Sequence, residues 1–309
     1  MWKVLFPSKS HHKRGGGQIK ARDYFLHCLA HPQLDPYFSF TDAPSYREAG
    51  LWDGVPADRV LGEADVTQFD LFFISGRNWK YVPKDLGGKP VVNLLQSVDE
   101  CLPGAPEFRY LKRPALRICV SESVLAASAP HRNGEAVVIA NGIPLDLFRP
   151  GPARIEGSVL VWGRKERAFA VCLRDELARR GIEARVLVDY RPREEWARRL
   201  AETGVFVGLP REREGFYLPA LEAMACGAAV VCADAGGNRA FCLPEETCLS
   251  PARGDVAGHA NAVERLRGDG DLRERLRDAG IAIAQSFSIA AEREAFYRLL
   301  DERVFPLLP

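Results

Sequence analysis

The sequence predicts an α/β protein built from two Rossmann-like domains, each a parallel sheet covered on both faces by helices. Short, continuous apolar runs rich in β-branched residues recur between stretches of helical periodicity. This alternation breaks once, near the middle of the chain, and then restarts. With 309 residues, 47% of them hydrophobic, the chain has enough interior for two domains.

In chain order, the strands expected in the first half are Trp2–Phe6, Tyr37–Phe40, Asp70–Ile74, Pro90–Leu95, Leu116–Val120 and Ala136–Ile139. In the second half they are Ser158–Trp162, Ala184–Val188, Val205–Leu209 and Ala229–Cys232. Most lack polar alternation, as parallel strands buried on both faces do. Helical patterns lie between them. Gln18–His31 sets Ile19, Phe25, Leu26 and Leu29 on one face, and Arg193–Glu202 spaces Trp196 and Leu200 four apart. Such alternation argues for doubly wound sheets with right-handed crossovers. The pattern lapses at Asn141-Gly-Ile-Pro144 and resumes at Val159. Arg149-Pro-Gly-Pro152 is stiff and turn-prone, which places a domain boundary there. The expected organisation is residues 1–150, residues 151–288, and a closing helix over 289–309 that packs back on the first domain.

Composition narrows the function. Lys plus Arg is 42 and Asp plus Glu is 41, so no nucleic-acid partner is expected. The eight cysteines contain no two-residue gap of the zinc or thioredoxin type. Cys226, Cys232, Cys242 and Cys248 admit a metal-site reading. Buried thiols in a reducing cytosol explain runs such as Ile118-Cys119-Val120 better. Met1–Pro7 does not read as a signal peptide, because its apolar stretch is short and basic residues follow it. Leu218–Ala235 reads as helix, glycine turn and strand, not as a membrane span. A cytoplasmic location is expected, with any membrane contact peripheral at the inner face.

The densest chemistry lies in Glu214-Gly-Phe-Tyr-Leu-Pro-Ala-Leu-Glu222, a loop that runs into a helix stopping at Gly227. The first-turn amides near Phe216, Tyr217 and Leu218 lack intrahelical partners, and with the helix dipole they can hold a diphosphate. A carboxylate on each side of such a site can accept hydrogen bonds from sugar hydroxyls. Spacing alone is weak evidence, since acids at helix starts are ordinary capping. Two other patterns have plain explanations. Asp269-Gly-Asp271 resembles a metal-binding Asp-x-Asp but lies between two helices, where Asp caps and turns. Arg253-Gly-Asp255 spells an adhesion tripeptide in what reads as an internal loop.

The stretch Glu214–Val231, with its two glutamates and its Ala-Met-Ala-Cys-Gly, resembles the signature of retaining family-four glycosyltransferases (glycosyl transferases group 1) of the GT-B fold. The likeness continues at Ala235-Gly-Gly-Asn238, at Leu249–Asp255, in the closing helices, and upstream at Val138–Pro150. The acid that often follows the glycine turn is Ala240 or Phe241 here. The resemblance implies GT-B architecture, two Rossmann-like domains facing across a cleft. It implies transfer of a hexose-type sugar from a nucleotide-sugar donor to a hydroxyl acceptor with retention, as in cell-envelope or other glycan synthesis. Glu214 then takes the transferred sugar, and Glu222 the ribose. Arg164 fits the family's first diphosphate cation, and Lys165 or Arg167 the second. Gly215, Phe216, Tyr217 and Leu218 line the donor. Gly16 and Gly17, in the glycine run that opens the first helix, match a family turn that contacts donor or acceptor. Lys9–Arg14 before them reads as a loop at the cleft mouth. Many family members carry a His near position 97, and Ser97 or Asp99 stand in that place here. Asp189 and Tyr190 are candidates to lie near the base, and Ser121 reads as a helix cap.

No cofactor and no metal are implied beyond the nucleotide-diphosphate sugar as co-substrate. The acceptor expected is a glycan, a lipid-linked saccharide or a small molecule. Two alternatives remain open. One is a non-catalytic sugar-nucleotide-binding GT-B protein, and the other a GT-B sugar-nucleotide epimerase.

Overall fold

The computed structural model describes residues 1–8, 15–40, 52, 54–152 and 154–308, so the expected loop Lys9–Arg14 lies outside the described residues. The chain divides into two compact units. One comprises Met1–Ala140 with Glu292–Pro309, and the other Asn141–Ala291.

The first unit is built on β1 (Trp2–Ser8), α1 (Gly16–Leu29), β2 (Leu34–Phe40), β3 (Val60–Leu61), β4 (Leu71–Ser75), β5 (Val91–Leu95), β6 (Leu116–Cys119), α2 (Glu122–Ser128) and β7 (Ala136–Val138). Its strands pair in parallel in the order β3-β2-β1-β4-β5-β6-β7, reversing direction between β1 and β4. Every residue of β5 is buried, and its one polar side chain, Asn93, donates to the Ile74 carbonyl at 2.8 Å. β2 instead alternates buried and half-buried residues. Its opening Leu34-Asp-Pro36 hid that half of the strand from a reading based on apolar runs. The core is aromatic: Phe6 stacks on Phe73 with centroids 4.8 Å apart and meets Phe25 edge-on at 5.4 Å. Ser121 caps α2, accepting from the Val124 amide at 3.4 Å.

The second unit contains β8 (Ile155–Trp162), α3 (Arg167–Arg179), β9 (Ala184–Leu187), α4 (Arg193–Ala201), β10 (Thr203–Gly208), α5 (Leu218–Ala225), β11 (Ala229–Cys232), β12 (Cys248–Leu249), α6 (Val256–Gly268) and α7 (Gly270–Gln285). Its parallel order is β12-β11-β10-β8-β9, so the winding reverses between β8 and β10. Val159, Val161, Val205, Val207 and Val231 form the central layer, with Leu173, Leu177, Val263 and Leu266 packed over it. Asp255 and Asp269 are N-caps, accepting from the Gly258 and Leu272 amides at 2.8 and 2.9 Å. That accounts for both Asp-containing tripeptides singled out in the sequence.

The division between the units falls at Ala140/Asn141, whereas the stiff Arg149–Pro152 segment suggested residue 150. Backbone pairing explains the difference. Ile143 donates to the Phe287 carbonyl at 2.8 Å and accepts from the Ile289 amide at 3.1 Å, which binds residues 141–150 to the second unit. The last helix, α8 (Ile289–Leu299), passes into the first unit from Glu292 onward. There Glu292 meets Lys20 at 2.6 Å and His27 at 3.0 Å, and Phe296 sits edge-on to Tyr24 at 5.0 Å. None of the described helices is long and apolar enough to cross a membrane.

Candidate functional site

In open α/β sheets, ligands bind beyond the carboxyl ends of the strands where the winding reverses. In the second unit that point is the pair of loops leaving β8 and β10. These loops are Gly163–Glu166 and Leu209–Tyr217, and they carry most of the residues singled out in the sequence.

Glu214 joins the two loops. Its Oε2 lies 2.5 Å from Lys165 Nζ, and its Oε1 accepts from the Arg211 amide at 2.9 Å. The backbone beneath it is held just as firmly. The Glu214 amide donates to the Ala235 carbonyl at 3.2 Å, and Glu214 pairs with Gly236 as an isolated bridge. A Cβ on Gly237 would lie 2.3 Å from the Gly215 carbonyl carbon and oxygen, so only glycine lets this turn sit under the loop. Asn238 closes the turn, with Oδ1 accepting from the Ala235 amide at 2.9 Å and Nδ2 donating to the Ala233 carbonyl at 3.0 Å. Arg253 braces the same edge by donating to the carbonyls of Pro210 at 2.7 Å and Asp234 at 2.9 Å. The glycine turn and Arg253 are thus supports for Glu214.

Tyr217 precedes α5 in the left-handed region, at φ 59° and ψ 60°. A non-glycine residue there costs about 1–2 kcal/mol. The conformation swings the chain from the Glu214 loop into α5 and buries the side chains of both Phe216 and Tyr217. Burial, with Cys232 and Glu214 nearby, pushes the Tyr217 hydroxyl well above its ordinary value, so it stays a neutral phenol. Pro219 brings no N–H to the first turn, which leaves Phe216, Tyr217 and Leu218 to supply backbone donors at this helix start. Glu222, one turn inside α5, is buried and accepts from Trp196 Nε1 at 2.8 Å. Trp196 comes from α4, and its ring packs 4.8 Å from Trp162 at the end of β8.

The three cations after β8 go to different partners. Lys165 reaches Glu214. Arg164 lies over the Tyr190 ring, 3.9 Å from its centroid. Arg167 donates to Asp189 Oδ1 at 2.8 Å and to the Val188 carbonyl at 3.2 Å. A Cβ on Gly163 would lie 2.2 Å from Ala170 Cβ, so glycine here allows α3 to start close against the strand end.

The remaining sequence candidates lie in the first unit. Gly16 opens α1, and the Gly17 carbonyl accepts from Gln96 Nε2 at 3.2 Å. Gln96, which the sequence reading passed over, is therefore the residue after β5 that touches the glycine turn. Ser97 Oγ accepts from the Asp99 amide at 3.2 Å. Among the described residues, no group of three or more His, Cys, Asp or Glu side chains is arranged to hold a metal. Cys226 Sγ points at the Ala197 carbonyl, 3.8 Å away, and burial pushes its thiol up to about 12.

Residues 153–269 match the family model described as glycosyl transferases group 1. Over this segment, somewhat more than a third of its length, the chain is similar to the group 1 glycosyltransferases. The matched stretch contains Arg164, Lys165, Arg167, Glu214, Glu222 and the supports Gly237 and Arg253. Whole-chain likeness extends to solved structures. Sucrose-phosphate synthase from Thermosynechococcus elongatus is 17% identical with a TM-score of 0.73, covering 98% of this chain and 99% of its own. Anabaena HepE, solved in complex with UDP-glucose, is 16% identical with a TM-score of 0.76, covering 97% and 100%. A glycosyltransferase from Rickettsia africae is 13% identical with a TM-score of 0.70, covering 97% and 98%. The chain thus has the GT-B fold, and the matched segment lies within its second unit. No curated protein sequence matches it.

Proposed function

We propose that this chain transfers a hexose-type sugar from a nucleotide-diphosphate donor to a hydroxyl acceptor, with retention at the anomeric carbon. The observation that carries the proposal is the Lys165–Glu214 pair. It sets a cation and a carboxylate side by side at the winding reversal, next to the start of α5. In this reading Glu214 accepts hydrogen bonds from the hydroxyls of the transferred sugar. Glu222, oriented by Trp196, takes the ribose. Arg164 and Lys165 neutralise the leaving diphosphate beside the backbone of Gly215–Leu218, with Arg167 in support.

The bond between the anomeric carbon and the diphosphate oxygen breaks as the acceptor oxygen bonds to the same face of that carbon. The acceptor's proton passes to the departing phosphate oxygen. The protein positions both substrates and stabilises charge. In this scheme the cations supply the electrostatic role, and neither a metal nor a cofactor takes part. HepE, solved with UDP-glucose, supports a nucleotide sugar as donor. The acceptor proposed is a glycan, a lipid-linked saccharide or a small molecule, in a cytoplasmic setting at or near the inner membrane face.

Thermal-shift titration with UDP, GDP, ADP and dTDP tests the donor half, since a ligand that binds only the folded chain raises its melting point. One of the four is expected to stabilise the protein, and its glucose, galactose or mannose conjugate to be turned over. Stabilisation by none of them contradicts the proposal. Binding without transfer or hydrolysis identifies a non-catalytic binding protein instead.

A further inference from the structure

We propose that Tyr190, in the turn after β9, is a positioning residue for the donor diphosphate, acting through Arg164. The inference rests on the reading above that the loop after β8 binds a diphosphate.

The three cations of that loop are sorted by partner. The two outer ones, Arg164 and Arg167, both go to the turn after β9, while Lys165 between them goes to Glu214. Arg164 Cζ, at 3.9 Å from the Tyr190 centroid, is well inside the range of about 6 Å for a cation–π contact. A guanidinium laid on a ring uses its face and keeps its in-plane N–H donors for an oxyanion. The ring is neutral, so this contact does not offset the charge of Arg164. Arg167 differs, because its partner Asp189 is a carboxylate and both side chains are largely exposed. That pair shares its charge and is held only weakly against solvent.

Tyr190 is itself braced. Its ring lies 6.2 Å from that of Trp162, which packs 4.8 Å from Trp196, the residue that holds Glu222. A single aromatic row therefore links the arginine proposed for the diphosphate to the carboxylate proposed for the ribose. A long side chain on a loop loses much rotamer freedom when it is fixed on a ligand. The Tyr190 ring removes part of that cost before the donor arrives, and Arg164 is the cation it preorganises.

Calorimetric titration of the full chain with UDP, GDP, ADP and dTDP, and with the matching monophosphates, tests this. Tyr190→Leu should weaken the best-binding diphosphate about tenfold and leave the monophosphate unchanged. Tyr190→Phe keeps the ring and should bind like the wild type. Arg164→Lys keeps a charge that cannot lie flat on the ring, and it should show the same diphosphate-selective loss even if Tyr190→Leu folds poorly. Unchanged diphosphate affinity in Tyr190→Leu and Arg164→Lys overturns the inference. So does an equal loss for monophosphate and diphosphate in Tyr190→Leu, which makes Tyr190 a contact to the nucleoside. A wild-type chain that binds none of the four diphosphates overturns the donor-site reading itself, and this inference with it.

Discussion

Trp196 Nε1 donates to Glu222 Oε2 at 2.8 Å, and both side chains are buried where α4 packs on α5. The indole fixes the orientation of a carboxylate assigned to the donor ribose. Trp196→Phe keeps most of the packing but takes a donor away from a buried charged acceptor, which costs about 1–3 kcal/mol. Chemical denaturation should show that loss, and titration should show weaker donor binding. Unchanged donor affinity in both Trp196→Phe and Glu222→Ala would count against the ribose assignment.

Gly237 has no room for a side chain, since an added Cβ would lie 2.5 Å from the Glu214 carbonyl oxygen and closer still to Gly215. Gly237→Ala should therefore push the Glu214 loop outward. Overpacking of this kind costs about 1–3 kcal/mol. Displacing a substrate-positioning group by about an ångström costs about a hundredfold in rate. Transfer assays and melting curves on the same variant separate the two effects. A Gly237→Ala protein with wild-type turnover would mean that the turn does not position Glu214.

In the first unit, Lys20 Nζ contacts Glu292 Oε2 at 2.6 Å and Asp23 Oδ2 at 2.9 Å, and all three side chains are within 5% of full burial. Desolvation works against the Lys20 charge, but the two carboxylates outweigh it and its pKa is raised. Removing Glu292 breaks two buried contacts at once, one to Lys20 and one to His27. Glu292→Ala should lose about 3–5 kcal/mol in denaturant unfolding. A smaller loss, of about 1 kcal/mol or less as for an exposed pair, would show that the cluster does not anchor the C-terminal segment.

Glu100 Oε2, in the short helical turn after β5, is sealed from solvent and has no hydrogen-bond partner among the described residues. Burial, with the Glu107 carboxylate nearby, pushes its pKa from 4.5 up to about 8. A raised folded-state pKa contributes stability below the unfolded value, and that contribution is lost as pH rises through the folded one. Between pH 4.5 and about 8 the wild type should therefore lose stability relative to Glu100→Gln, which carries no titrating proton. Melting curves across that window check the sign. A variant that instead loses ground to the wild type as pH rises would contradict it.

Much of this was legible in the sequence. The strands called by continuous apolar runs are there, because a strand buried on both faces leaves that trace in its own residues. Val60–Leu61 and Cys248–Leu249 were missed, since a two-residue edge strand has no periodicity to read. Glu214 and Glu222 stood out because a loop entering a helix compresses its chemistry into nine consecutive positions. What supports them was hidden. Trp196 read only as an apolar helix position, although its indole serves a carboxylate 26 residues away. The pairing of His27 with Glu292 spans 265 residues, and no local pattern marks it. Gln96 is an ordinary polar residue until the fold brings it against Gly17.

Donor turnover by Glu214→Ala, measured beside donor binding in the same preparation, is the most direct test of sugar transfer at the Lys165–Glu214 site. Loss of the carboxylate that holds the sugar should lower turnover about a hundredfold or more, while the nucleoside diphosphate still binds. Normal turnover in a folded Glu214→Ala protein would contradict the account.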